Sequence, residues 1–172
     1  MRLNRAAISV GVCLLALCVL AWAQSSRKPG LWEITSNMSW QKSPFPPGME
    51  SMAQSHFGGG PHTSQICLTQ EQIDKYGAPP PQTSQRDCQF TNIQKSAHGM
   101  SAEMVCTGAM NGKGTMEATW TDDSHTTSKV HFSGTMSMGA NSRPVEWTVE
   151  STSVFKGSDC GSVKPFTMPE HH

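Results

Sequence analysis

The stretch Gly30-Leu31-Trp32-Glu33-Ile34-Thr35-Ser36-Asn37-Met38-Ser39-Trp40 constrains the fold more than any other part of the chain. Its even positions carry Trp32, Ile34, Met38 and Trp40, with Glu33, Thr35, Asn37 and Ser39 between them. A period of two sends these sets to opposite faces of a strand. One face is then apolar and the other needs polar surroundings. That pattern suits a half-buried antiparallel sheet better than a parallel sheet covered on both sides.

Ahead of this strand, Arg2 and Arg5 precede an apolar segment from Ala6 to Ala21, and Ala21-Trp22-Ala23 leads into a polar run from Gln24. This is the pattern of a secretory signal peptide over residues 1–23, cleaved between Ala23 and Gln24. The apolar length is short for a retained anchor, so no transmembrane segment is expected after processing. Cys13 and Cys18 follow Val12 and Leu17 rather than the small residue expected before a lipid-attachment cysteine. Residues 24–172 hold 11 Lys/Arg against 13 Asp/Glu. This is enough chain for one domain, assigned to 24–160, and its charge gives nucleic acid no broad attraction.

Four cysteines remain in the exported part: Cys67, Cys88, Cys106 and Cys160. Their even number and an oxidising destination point to two disulfides with three pairings open, rather than to a four-thiolate metal site, since no two cysteines are closely spaced. Arg86 to Lys95 and Met100 to Thr107 flank Ser96-Ala97-His98-Gly99. As a hairpin, they set Cys88 and Cys106 nearly opposite and in one alternation phase, which makes a cross-strand bridge geometrically reasonable. Elimination then pairs Cys67 with Cys160. This assignment gives the four cysteines structural roles and leaves no mature thiol for nucleophilic catalysis.

The remaining elements are short. Weak alternation marks a strand over Ser51 to Phe57, and His62 to Leu68 gives another. Thr69-Gln70-Glu71-Gln72 reads as a capping box that opens a short helix through Tyr76, and Pro79-Pro80-Pro81 prevents its continuation. Asn111-Gly112 signals a reversal before Met116, Ala118 and Trp120 share a strand face. Asp122-Asp123 begins a turn. Val130 and Phe132 pair on the next strand, Gly134 and Gly139 offer bends or bulges, and Val145, Trp147 and Val149 form a further stripe. Pro144 suits a strand start or an edge, and residues 161–172 read as a flexible tail. The expected fold is mainly β: a curved antiparallel sheet or incomplete barrel with one short helix, its core built on Trp32, Trp40, Trp120 and Trp147.

Lys28-Pro29-Gly30-Leu31-Trp32-Glu33-Ile34-Thr35, then Ile66-Cys67-Leu68-Thr69, Cys88, Cys106 and Asp159-Cys160 together resemble the bacterial exported DUF3617 family over Lys28 to Cys160. The ending departs from the family's more usual arginine-containing, Gly-Asp-Cys form. The resemblance implies a periplasmic or secreted domain and supplies no catalytic residues.

Chemistry is sparse. There is no nucleophile elbow, zinc-protease helix or phosphate loop. Asp122, Asp123 and His125, with Ser124 among them, are the acid/base grouping to test against a hydrolase, although neighbours in sequence more often make a solvated turn. Met38, Met49, Met52, Met100, Met104, Met110, Met116, Met136, Met138 and Met168, with His56, His62, His98, His125, His131, His171 and His172, offer soft ligands for copper. Core packing explains the pairs Met100/Met104 and Met136/Met138 without a metal. The expected function is a noncatalytic envelope binding or interaction module that takes a small lipid-like molecule or an envelope-protein segment in a weakly apolar cleft. A copper-binding module is the alternative, and a hydrolase the third reading.

Overall fold

The structure is a computed structural model that describes residues 27–46, 48–49, 60–76, 87–139 and 141–165. The expected leader at 1–23, the strand over Ser51 to Phe57 and the chain after Pro165 lie outside the described residues. The elements in chain order are β1 (Gly30–Lys42), β2 (His62–Leu68), α1 (Gln70–Tyr76), β3 (Cys88–Lys95), β4 (Gly99–Thr107), β5 (Met110–Trp120), β6 (His125–Met138) and β7 (Asn141–Gly157). All strands join one antiparallel sheet in the order β2-β1-β7-β6-β5-β4-β3.

Hairpins run consecutively from β3 to β7, and β1 returns to pair with the far side of β7. The mainly β fold with one short helix is therefore present, as an open sheet rather than an incomplete barrel: the ladders stop at β2 and β3, which do not pair with each other. One contact links the two ends of this order, since Lys95 of β3 donates through Nζ to the Asp74 carbonyl of α1, the helix that follows β2.

Register places the alternating sets in rows across the sheet. Trp40, Trp147 and Phe132 are successive partners on β1, β7 and β6, and Met38, Val149, Val130, Met116 and Ala102 form the next row through to β4. Phe132 stacks on Trp147 with ring centres 5.4 Å apart. A second cluster joins Trp32, Ile66, Leu68 and Ile73, with Ile34 and Phe155 against it. Burial of this one phase supplies the main driving force. The helix is short but well started. Thr69 accepts through Oγ1 from the Gln72 amide, and Gln72 Oε1 accepts from the Thr69 amide, the reciprocal capping box. Its Ile73 reaches the second cluster.

Two glycine readings change. Asn111-Gly112 makes no reversal: Gly108 and Ala109 separate β4 from β5, and Asn111 and Gly112 lie within β5. Gly134 makes no bend, because β6 continues through it without a register shift on either side. The two glycines are Cα partners, and a Cβ on Gly112 would stand 2.4 Å from the Ser133 carbonyl oxygen. Close backbone approach explains both residues, a use of glycine that turn statistics do not separate from reversal. Gly139 does occupy a turn, with φ of 65°. Pro144 lies on β7 beyond Glu146, where the ladder with β1 ends. It is locally at an edge even though β7 is an interior strand, so its missing N–H breaks no β1 bond.

Candidate functional site

The Asp122 to His125 grouping does come together, as the β5–β6 turn. Asp122 Oδ1 accepts from the amides of Ser124 and His125, each at 2.7 Å, and the His125 Nδ1 to Asp122 Oδ2 distance is 3.0 Å. Asp123 accepts from the Ser124 hydroxyl and pairs with Lys28 at 2.9 Å. The Ser124 amide, followed by His125, holds the Asp122 carboxyl below its ordinary value. Lys28 and then Ser124 do the same for Asp123. Both carboxylates are thus stabilised in the charged form by the bonds that close the turn. These contacts build the turn, with the Ser124 hydroxyl held between Asp123 and Lys28.

The methionines differ in burial. Met100, Met104, Met110 and Met116 are buried in the main cluster, Met38 and Met136 pack against it, and Met138 is exposed. Among the described histidines, His62, His98 and His125 are exposed, and His131 lies 3.4 Å from Glu146. Lys42, followed by His131, lowers the Glu146 carboxyl from its ordinary value. Among the described residues, no three His, Cys, Asp or Glu side chains converge. His56, His171 and His172, with Met52 and Met168, lie outside the described residues. Cys67 is joined to Cys160 and Cys88 to Cys106.

The concavity lies on the polar face. An open groove of about 490 Å³ is lined by Thr35, Asn37, Pro61, Glu117, Thr119, Thr127, Ser128, Lys129, Glu150, Ser151 and Thr152. Its floor follows from register, and the same row runs on past the groove to Thr63 of β2. Thr63, Thr35, Thr152, Thr127 and Thr119 are successive partners on β2, β1, β7, β6 and β5, which gives one threonine to each of five neighbouring strands. Thr35 and Thr63 hydroxyls lie 3.0 Å apart and those of Thr119 and Thr127 2.8 Å apart. The adjoining row is Asn37, Glu150, Lys129 and Glu117, with the Lys129 to Glu150 ion pair at 3.1 Å. Hydroxyl donors and acceptors therefore stand at the strand spacing beside a row of alternating charge.

The sequence leads to the expectation of a weakly apolar cleft on a concave sheet, and the buried phase of the observed sheet carries the buried Trp and Met side chains. That phase is filled by packed side chains, with Trp32 and Phe132 both 0% exposed. The threonine row was missed because its members are scattered from Thr35 to Thr152, and only the pairing of five strands aligns them. The signal present in the chain was limited to threonine recurring in the polar phase.

The sequence profile of the family described as protein of unknown function (DUF3617) matches residues 27–160. No curated protein and no solved structure matches the chain.

Proposed function

Starting from a chain that belongs to the DUF3617 family, we propose that this domain is a noncatalytic binding module of the cell envelope, periplasmic or secreted, that lays an extended protein segment across the threonine row. The observation that carries this reading is the groove whose hydroxyl-bearing floor spans four strands, β1, β7, β6 and β5, with Thr63 of β2 extending the row beyond it. An extended peptide repeats amide donors and acceptors along its length and can exchange hydrogen bonds with such a floor while charged side chains meet the Glu150, Lys129 and Glu117 row. Two disulfides and the leader pattern of residues 1–23 support an oxidising location.

Site-specific photocrosslinking in cells tests the proposal. A crosslinker at Glu117, at the groove, is expected to trap a discrete envelope protein, whereas one at Lys113, farther along β5, is not. Replacing Thr127 and Thr152 with Val keeps the β-branched shape but removes the hydroxyls, and is expected to abolish the adduct. A lipid adduct at Glu117, or a protein adduct unchanged by the double substitution, overturns the peptide reading.

A further inference from the structure

Arg27 is the least accommodated polar side chain in the described structure. Only 3% of it is exposed, and its guanidinium lies over Trp120 at 4.2 Å from the ring centre and near Trp32 at 5.9 Å. Nη2 donates to Thr126 Oγ1 at 2.8 Å, but Nε and Nη1 find no acceptor among the described residues. The nearby acids serve other partners: Asp122 caps the turn with Ser124 and His125, and Asp123 pairs with Lys28. A buried cation with free donors is costly, and contact with aromatic faces offsets only part of that cost. Burial lowers its pKa to about 10, which leaves it charged at neutral pH.

We propose that Arg27 is the anchor of an oxyanion site, in which a carboxylate or phosphate group accepts from the donors that the fold leaves unused. Guanidinium geometry suits both anions, and charge-assisted bonds in a desolvated site are stronger than neutral ones. The flanking chain provides a route. Residues 27–29 precede β1 and take no part in its ladders. They are held by the partly exposed Lys28 to Asp123 ion pair, by Lys28 Nζ donating to Ser124 Oγ at 3.3 Å, and by Trp32 Nε1 donating to the Lys28 carbonyl at 3.0 Å. An ion pair of such exposure is easily broken, so this short segment can shift to admit an anion. The site uses the buried phase of the sheet and stands apart from the threonine groove on the other face.

NMR of the mature-length protein reads the site directly through the Arg27 Nε–H resonance and the indole N–H signals of Trp32 and Trp120. The probes are inorganic phosphate, acetate, decanoate and decyl phosphate, with decyltrimethylammonium as the cationic control. Saturable shifts of Arg27 Nε–H with the anionic probes and none with the ammonium amphiphile are expected. Saturation by phosphate or acetate identifies a free small anion as the occupant, and saturation only by the decyl anions identifies an amphiphile headgroup. Arg27→Lys retains a cation without the planar fork and should weaken binding about tenfold or more. The wild-type titration stands even if that variant folds poorly. An Arg27 Nε–H signal unmoved by every anion, or moved equally by the cationic control, overturns the proposal.

Discussion

Cys88 on β3 and Cys106 on β4 are direct partners across the ladder, their Cα atoms are 4.0 Å apart, and a disulfide joins them. This bridge closes a short local loop at the β3 edge. The other bridge, Cys67 to Cys160, spans a separation of 93 residues and ties β2 to the chain after β7.

The two bridges should differ in energetic weight. Loop-closure entropy assigns about 3 kcal/mol to the shorter closure and about 4 to 5 kcal/mol to the longer. Replacing each pair with Ser and measuring urea unfolding should therefore show the larger loss for Cys67/Cys160. Equal losses, or the reverse order, would contradict the entropic account.

The Gly112 and Gly134 pairing makes a second prediction. A Cβ at Gly112 would meet the Ser133 carbonyl oxygen at 2.4 Å and Gly134 Cα at 2.6 Å, whereas one at Gly157 would meet nothing within 4 Å. Backbone atoms cannot rotate away as a flexible side chain does. Gly112→Ala should cost about 1–3 kcal/mol, and Gly157→Ala should stay within about 0.5 kcal/mol. Parallel denaturation curves of the two variants check the contrast.

These residues also show what could be read from the chain. Alternation alone disclosed the buried phase of β1 and put Cys88 and Cys106 in a common phase, because a period of two is local information. The capping box was equally local, since Thr69 and Gln72 lie within one helical turn. Gly112 was misread because its role depends on the approach of β6, and the threonine row was not legible because Thr63, Thr35, Thr152, Thr127 and Thr119 meet only through long-range pairing. Arg27 carried no sequence pattern; its importance arises from Trp32, Thr126 and Trp120 meeting around it.

Hydrogen exchange should divide β1 into two parts. From Leu31 to Ser36 it is paired with β2 on one side and β7 on the other, whereas beyond Ser36 the β2 ladder ends and β7 alone continues. In the first part, amides directed to either neighbour should be protected. In the second part, antiparallel geometry directs alternate amides toward β7, so protection should alternate along Asn37 to Trp40, ahead of the register shift before Lys42. Residue-resolved exchange that is fast throughout Gly30 to Trp40 would remove β1 from the packed sheet.

Acid should weaken the fold through Asp122, Asp123 and Glu146. Their carboxyl groups are lowered from ordinary values of 3.8, 3.8 and 4.5 by the turn amides, Lys28 and Lys42 respectively as leading causes. A group with a depressed folded-state pKa binds protons more weakly in the folded chain than in the unfolded one. Its stabilising contribution is present above the unfolded value and is lost as pH falls through the folded value. Urea midpoints should accordingly be level from about pH 7 to about pH 5 with respect to these three groups, then fall below about pH 4. Asp122→Asn, Asp123→Asn and Glu146→Gln combined should flatten that acid decline while lowering stability at neutral pH. A triple variant whose midpoints follow the unsubstituted protein at every pH would show that these carboxylates do not couple protonation to folding.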